Sequence, residues 1–570
     1  MKKSGNTYLA SLSLSKRCFF IKKGGKNMNV VIGISWPFAN GELHIGHAAS
    51  SLPGDVIARY HRLKGNNVLL VSGTDCHGTP IEVKALKENK SPKELVDECH
   101  ESFSKDWKDL GVSYDLFNRT DDDYHKKFVQ EQFKKYDENG LLYEKEEEQL
   151  YCENCKMFLA DRYILGTCPK CGSDIKGDEC EKCGSLLTID EVLNTTCAIC
   201  GSPCSKKANK NLYFRLSNFE KDIEKIKEDH KDLWRDNAYK FTERYLNEGI
   251  PDRCVSRVQK YGIDIPVKGY EDKKLYGWFE NVWGYVTASK KIAEERGLDW
   301  NDYWKADRDN KIYLVHAKDN IPFHTVIFPI LLLGTKDNYR MPDKIVSDEY
   351  VTIEGEKLSK SKGNYIPMRY LLDRYSVDTI RYFLLANDAE TKDFNFTWEG
   401  FINSHNGELL GKWGNFVNRN FQFINKSFDG KLNNLEIDES IEKKLKDLYD
   451  KVGKDIDDGE VKSAIESIFE FISFANKYFD ENEPWNLAKT DSNACEKVLY
   501  NCCNIIYNIN NLLKPYLIES TVKVENYLNK SIDKWEYRRL DEVNLSKEIE
   551  ALFVRYDKSL IDEEKQVLGK

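Results

Sequence analysis

The sequence predicts an α/β protein in which a parallel sheet is split by a cysteine-rich insertion and followed by an all-α helix bundle. Three observations predict it. Apolar strand-like runs alternate with helical text in two blocks, residues 29–75 and 311–351. Four CxxC pairs fall between those blocks. After about residue 400, apolar residues recur at three- and four-residue spacing, as on the buried faces of bundled helices. The chain has 570 residues, more than the roughly 250–300 that one core supports, so several domains are required.

Residues 1–27 carry Lys2, Lys3, Lys16, Arg17, Lys22, Lys23 and Lys26 and no acidic residue. A targeting presequence is one reading, but Lys outnumbers Arg and no apolar stretch is clear. Lys23-Gly24-Gly25 is what AAGGAGG-like codons would encode. A translated ribosome-binding site, with Met28 as the true start, is therefore the preferred expectation. "NVVIGIS" (29–35) reads as a buried strand, and "HAASSLPGDVIARYHRLKG" (47–65) as a helix interrupted near Pro53. "NVLLVSGTD" (67–75) is a second strand. Strand text resumes at "KIYLVHA" (311–317), followed by a helix through "HTVIFPILLLG" (324–334) and a strand at "DKIVSDEYV" (343–351). The C-terminal helices are clearest at 463–479 and 494–516. No apolar run approaches the ~20 residues of a membrane span. The net charge of −9 excludes a globally basic nucleic-acid binder but leaves room for a local basic groove.

The CxxC pairs are Cys152/Cys155, Cys168/Cys171, Cys180/Cys183 and Cys197/Cys200. Two thiolates in a tight turn grip a metal from one side, and two such turns complete a tetrahedron. Eight thiolates suit two closed, structural Zn²⁺ sites; disulfides would need an oxidising compartment. Simple nesting puts Cys168, Cys171, Cys180 and Cys183 on the first ion and Cys152, Cys155, Cys197 and Cys200 on the second. One or two ions are expected, with Cys204 a spare or competing ligand. Gly172, Gly184 and Gly201 directly follow pairs, where such turns often need a positive φ.

"GISWPFANGELHIGH" (33–47) ends in His44-Ile45-Gly46-His47 at a strand-to-helix turn. Helix N-termini favour anions, glycine admits a flat ligand to the backbone, and imidazoles donate to phosphate oxygens. Far downstream, "EGEKLSKSKGN" (354–364) interleaves Lys357, Lys360 and Lys362 with serines between glycines, as a mobile loop closing over polyphosphate would. Either feature alone is weak: paired surface histidines and a solvated basic loop are the bland alternatives. No Walker GxxxxGK[ST] is present.

Together, in this order and across a split sheet, the two resemble the HIGH and KMSKS signatures of class I aminoacyl-tRNA synthetases, over nearly everything after Met28. The central insertion is too short for the editing domain of leucyl, isoleucyl and valyl enzymes. With "DCHGTPI" (75–81), "KDNIPFH" (318–324) and "ENEPWNLAK" (481–489), it is similar to the methionyl-tRNA synthetase family. The cysteinyl family, with zinc in its amino-acid pocket, is the alternative, and a tRNA-binding paralogue without activity would be expected to have a broken signature.

The resemblance implies a Rossmann-like catalytic domain, zinc knuckles and an anticodon-binding bundle. Its expected limits are 28–122 and 274–348 for the catalytic halves, 123–273 for the insertion with knuckles at 152–204, 349–400 for the lysine loop and stem-contact region, and 401–570 for the bundle. It implies ATP-dependent activation of L-methionine and transfer to tRNA(Met), initiator tRNA included. His44, His47, Lys357 and Lys360 are the expected catalytic residues, with Asn40 and Gly46 also at ATP and Mg²⁺ entering with ATP. Asp75 would hold the methionine ammonium, with Trp36, Phe38, Trp278, Tyr285 and His324 as walls; sulfur packs well on rings. Asn415, Arg419 and Trp485 would read the anticodon. With no dimerisation module recognised after the bundle, a cytoplasmic monomer without membrane attachment is expected.

Overall fold

The computed structural model describes residues 27–159, 163–177, 191–358 and 363–567. All but the last residue of the expected 1–27 extension lies outside the described residues.

The central sheet forms where the two apolar blocks converge. β1 (Asn29–Ile34) lies in the middle, flanked on one side by β2 (Asn67–Thr74) and β3 (Leu116–Arg119), and on the other by β4 (Asn310–Ala317) and β5 (Lys344–Asp348). Every pairing is parallel, and Asn29 stands opposite both Asn67 and Asn310. The strand order reverses between β1 and β4, so a crevice opens beyond their carboxyl ends, where such sheets bind ligands.

α1 (Ile45–Leu63) follows β1 and runs unbroken through Pro53. The expected interruption is absent: proline removes one N–H, but the helix is buried along most of its length, and packing keeps it continuous. Gly54 lets it lie directly on β1, since a Cβ there would meet Ile34 Cδ1 at 2.7 Å. The helix expected over 324–334 opens with a π-turn, Phe323–Ile327, before regular helix from Phe328 to Gly334. The strand expected over 343–351 also divides. β5 ends at Asp348, and Val351–Ile353 joins a second sheet with Glu356–Lys357 and Phe394–Phe396. The backbone N–H groups of Glu349 and Tyr350 bond Ala389 O (2.8 Å) and Asp393 Oδ1 (3.0 Å), which draws the chain off the first sheet.

The insertion is a long antiparallel ribbon, Leu142–Cys152 against Ser205–Phe214, with the cysteines at its tip. In the C-terminal region, α2 (Asn415–Phe428), α3 (Glu439–Asp458), α4 (Val461–Glu481) and α5 (Ser492–Leu513) pack around a shared apolar core. α5 also buries Asn501, Asn504, Asn508, Asn510 and Asn511. Four of these amides, all but Asn510, bond irregular backbone: Asn508 meets both the N–H and the C=O of Arg538, at 3.0 and 2.8 Å, and Asn504 accepts from Leu540 N–H. An asparagine ladder thus replaces a helix partner for the C-terminal segment.

The bundle is tied to the sheet at several points. Gly459, left-handed at φ 85°, ends α3 against β5, where a Cβ would meet Val346 Cγ2 at 2.9 Å. Asp457 and Asp458 pair with Lys311 and Lys344, each at 3.0 Å. On α1, buried Asp55 pairs with buried Arg381 at 2.7 Å, and the same guanidinium donates to the carbonyls of Pro515 and Tyr516.

Candidate active site

The turn after β1 is pinned to the end of β2: Ala39 N–H donates to Asp75 O and Asp75 N–H to Pro37 O, each at 2.9 Å. This fixes where α1 begins. His44 is its N-cap, and the two histidines cap reciprocally. Gly46 N–H donates to His44 Nδ1 at 3.2 Å, and His44 N–H donates to His47 Nδ1 at 3.1 Å. The rings stack at 3.8 Å. Because each Nδ1 accepts, each neutral ring carries its proton on Nε2, as a donor beside the positive end of the helix. Gly46 keeps this turn tight: a Cβ would lie 3.1 Å from the His44 ring and 3.3 Å from Leu358.

The lysine-loop segment meets this turn. Ile45 N–H donates to Ile366 O at 3.1 Å and Met368 N–H to Leu43 O at 2.9 Å, so the far end of the loop is anchored on the histidine turn. Lys357 is exposed in a short strand at the near end. Lys360, with Ser359, Ser361 and Lys362, lies outside the described residues.

These elements border a cleft of about 1520 Å³, larger than the ~300–1,000 Å³ usual for one small ligand. Trp36, Phe38, Asn40, His44, Gly46, His47, Asp75, Trp278 and Lys357 all line it. Asp75 is 5% exposed, and its carboxylate accepts from Asn281 Nδ2 at 3.0 Å. Burial, then the nearby Glu280 carboxylate, pushes its pKa up to about 7. The Trp36 indole wedges between Gly73 and Gly284, and Trp278 stacks on Phe323 at 3.9 Å. Tyr285 and His324, expected as walls, do not line the cleft as it stands: both are buried, Tyr285 Oη lies 2.7 Å from His324 Nε2, and His324 Nδ1 meets Asn320 O at 2.8 Å. Burial lowers the His324 pKa to about 4, so this ring is neutral. Trp283 does not reach the cleft; it packs against Phe128, Phe328 and Tyr339 in the core.

Three features escaped the sequence reading. Behind Asp75, fully buried Glu280 bonds His77 Nδ1 at 2.7 Å and His125 Nε2 at 3.0 Å. Arg257 lines the cleft with its guanidinium 4.2 Å over the Tyr276 ring. Lys84 reaches the turn and donates to Asn40 O at 3.0 Å. His77 stands inside the quoted DCHGTPI stretch, but nothing local in the sequence joins it to residue 280.

At the ribbon tip, the sulfurs of Cys152, Cys155, Cys197 and Cys200 all lie within 4.8 Å of one another. The Cys152–Cys200 and Cys155–Cys197 separations are 3.5 and 3.9 Å. A thiolate tetrahedron with ~2.3 Å metal–sulfur bonds has edges of about 3.8 Å, so the group fits one four-coordinate ion. The outer four cysteines therefore cluster as nesting requires. Cys168 and Cys171 form a turn like that of Cys197 and Cys200, with Gly172 and Gly201 left-handed at φ 70° and 71°. Cys180, Cys183 and Gly184 lie outside the described residues. The tip is not remote: Tyr163 Oη donates to Glu82 at 2.5 Å, and Leu165 and Ala198 line the cleft.

In the bundle, Arg419 of α2 lies 4.2 Å over the Phe479 ring and pairs with Asp480 at 2.7 Å. Phe479 neighbours Trp485, which is 41% exposed. Asn415 is exposed one turn before Arg419. The structure thus gathers the three residues expected to read a tRNA loop and adds Phe479 and Asp480.

The model of the family "tRNA synthetases class I (M)" matches residues 30–421, and that of the "Anticodon binding domain of methionyl tRNA ligase" matches 430–564. Methionine–tRNA ligase 1 of Alkaliphilus oremlandii is 47% identical over 543 residues, 95% of this chain and 100% of the relative. Methionine–tRNA ligase of Bacillus cereus strain B4264 is 45% identical over 544 residues, 94% of this chain and 98% of the relative. The fold is similar to that of Mycobacterium tuberculosis methionyl-tRNA synthetase in complex with methionyl-adenylate, with a TM-score of 0.77 at 22% identity, covering 93% of this chain and 100% of that one. The chain belongs to the methionyl-tRNA synthetases, the methionine–tRNA ligases of the class I tRNA synthetase family.

Proposed function

We propose that the cleft makes methionyl-adenylate and charges tRNA(Met), initiator tRNA included, with the following division of labour. Asp75 receives the methionine ammonium, and Trp36, Phe38 and Trp278 enclose the side chain, with Tyr285 and His324 as the floor. The methionine carboxylate oxygen attacks the α-phosphorus of ATP; the α–β phosphoanhydride bond breaks and pyrophosphate leaves. His44 and His47 donate from Nε2 to the phosphates, Asn40 and Gly46 shape the turn, and Lys357 and Lys360 cover the departing pyrophosphate. The 2′-hydroxyl of the terminal ribose then attacks the methionyl carbonyl, AMP leaves, and the hydroxyl proton is released. Positioning and charge stabilisation supply the rate in such chemistry, without a protein nucleophile. The observation that carries this reading is the reciprocal histidine cap, which fixes two donors beside a buried carboxylate in one cleft.

Zn²⁺ is the ion we assign to Cys152, Cys155, Cys197 and Cys200, as a structural clamp; a second Zn²⁺ would take Cys168, Cys171, Cys180 and Cys183. Mg²⁺ arrives with ATP. Asn415, Arg419 and Trp485 contact the anticodon. The domain limits read from the sequence, a monomeric state and a cytoplasmic location belong to the same proposal.

ATP–pyrophosphate exchange over a panel of amino acids tests it. Exchange is expected with methionine alone. His47→Ala or Lys360→Ala should slow it by about 10²–10³-fold while methionine affinity stays near that of the parent. A large loss of methionine binding with normal turnover would refute those roles.

A further inference from the structure

Asn281 is the one side chain that donates to Asp75 among the described residues: its Nδ2 lies 3.0 Å from Asp75 Oδ2. The other donor to that carboxylate is the His77 backbone N–H, at a long 3.4 Å from Oδ1. Asn281 is itself 7% exposed, and its Oδ1 is buried without a hydrogen-bond partner. A reversed amide would set Oδ1 against the carboxylate, so the orientation with Nδ2 toward Asp75 is the one that bonds. The acceptor left behind is a standing cost, and a buried polar group kept unpaired calls for a reason beyond packing.

The backbone delivers this amide through a break in the helix. A four-residue helix, Gly277–Glu280, gives way to a 3₁₀ turn, Asn281–Trp283, before the helix Gly284–Glu295. Glu280 and Asn281, adjacent in sequence, serve different groups: Glu280 bonds His77 and His125, and Asn281 bonds Asp75. The titratable neighbours of Asp75 are Glu280, His77, Cys76 and Tyr285. Burial lowers the His77 pKa to about 4 and raises those of Cys76 and Tyr285, so these three are neutral near pH 7. None of them offsets burial and the like charge of Glu280, which oppose ionisation of Asp75. The Asn281 amide, with the longer His77 N–H contact, is what favours the anion. A lysine or arginine there would favour it more strongly, but its charge would compete with an ammonium for the same carboxylate. A neutral donor stabilises the anion and leaves its charge to the ligand.

We propose that Asn281 is a positioning residue for methionine: its amide holds the Asp75 carboxylate in the anionic form that receives the substrate ammonium. The inference rests on the reading of Asp75 as the ammonium site.

The test is the methionine KM in ATP–pyrophosphate exchange, followed from roughly pH 6 to 8.5 in the parent, Asn281→Ala, Asn281→Asp and the double variant Glu280→Gln/Asn281→Ala. Loss of one hydrogen bond to a buried anion should move the midpoint up by about one pH unit. Asn281→Ala should therefore raise the methionine KM about five- to tenfold between roughly pH 6 and 7 and come within about twofold of the parent by roughly pH 8.5, with kcat and the ATP KM within about twofold throughout. Asn281→Asp keeps the shape but replaces the donor by a like charge, so its loss at neutral pH should be at least as large. The double variant, relieved of the Glu280 charge, should return toward the parent's midpoint. A KM raised by the same factor at every pH, or an Asn281→Asp variant that matches the parent, overturns the proposal, because shape and not the donor would then be what counts. A fall in kcat with the methionine KM unchanged also overturns it. Asp75→Asn separates this inference from the reading it rests on. If that variant keeps the parent's methionine KM and profile, the reading of Asp75 falls and the inference with it. If it loses methionine affinity while both single Asn281 variants keep the parent's profile, only the role of Asn281 falls.

Discussion

Asp75 carries the sharpest consequence of the site's electrostatics. Its carboxyl is pushed up to about 7 by burial and by Glu280, against bonds from Asn281 and His77 that favour the charged form. A raised acid is neutral below its pKa and charged above it, so the form proposed to bind the methionine ammonium is lost as pH falls through about 7. The methionine KM in exchange should therefore fall as pH rises from roughly 6 to 8 and then level off, by up to about tenfold per pH unit below the midpoint. Glu280→Gln removes the like charge and should move that midpoint down, while Asp75→Asn should abolish the dependence along with most of the affinity. A KM that stays flat across the window in the parent would sink this account. The sequence singled out Asp75 as a family position. It gave no sign of Glu280, because a buried carboxylate held by His77 and His125 looks in sequence like any helix-start acid.

At the scale of elements, the cysteine tip shows what spacing can and cannot say. CxxC spacing specifies two thiolates per turn, and Gly172 and Gly201 take the left-handed turn that such spacing needs. Which turns share an ion depends on the ribbon, Leu142–Cys152 against Ser205–Phe214, which brings Cys152 beside Cys200. Replacing Cys197 by Ser should lower bound zinc by about one ion per chain, measured by elemental mass spectrometry. It should also lower the melting temperature, because the apolar clusters among the described residues of the tip are small. Unchanged zinc content would remove these four cysteines from the ligand set. The unbroken helix through Pro53 and the division of the strand at Asp348 make the complementary point. Local propensity marked a break in one and continuity in the other, and burial in the first and bonds to the 389–393 loop in the second reversed both.

For the whole molecule, the junction of sheet and bundle matters most. Asp55 and Arg381 are both fully buried, and the guanidinium also holds the Pro515 and Tyr516 carbonyls of the bundle. Burial raises the Asp55 pKa, but Arg59, Arg381 and the Ser113 hydrogen bonds outweigh it and hold the carboxyl well below the usual range. This stabilisation is present above the unfolded carboxylate pKa of about 4 and is lost as pH falls below it. Asp55→Ala strands a buried guanidinium and should cost about 3–5 kcal/mol, read from the denaturant midpoint. Asp55→Ala combined with Arg381→Met should recover much of that loss. A single variant as stable as the parent would show that the clamp is dispensable. A second tie runs through Glu564 of the last helix, which accepts from Tyr370, Arg374 and Tyr375 on and beside the helix after the lysine loop.

The sequence by itself determined the parallel sheet, the cysteine insertion, the helical C-terminal region and the two signatures that name the family. Each depends on contiguous residues whose spacing has a direct physical meaning: period two or 3.6, two thiolates per turn, a histidine cap at a helix start. Only the tertiary structure decided which cysteines cluster, that Trp283 is core while Trp36 and Trp278 line the cleft, that Glu280 stands behind Asp75, and that Phe479 bridges Arg419 and Trp485. Those facts arise where elements distant in sequence meet. Burial and neighbouring charge, which set the chemistry of a side chain, are properties of the packed chain and not of any window along it.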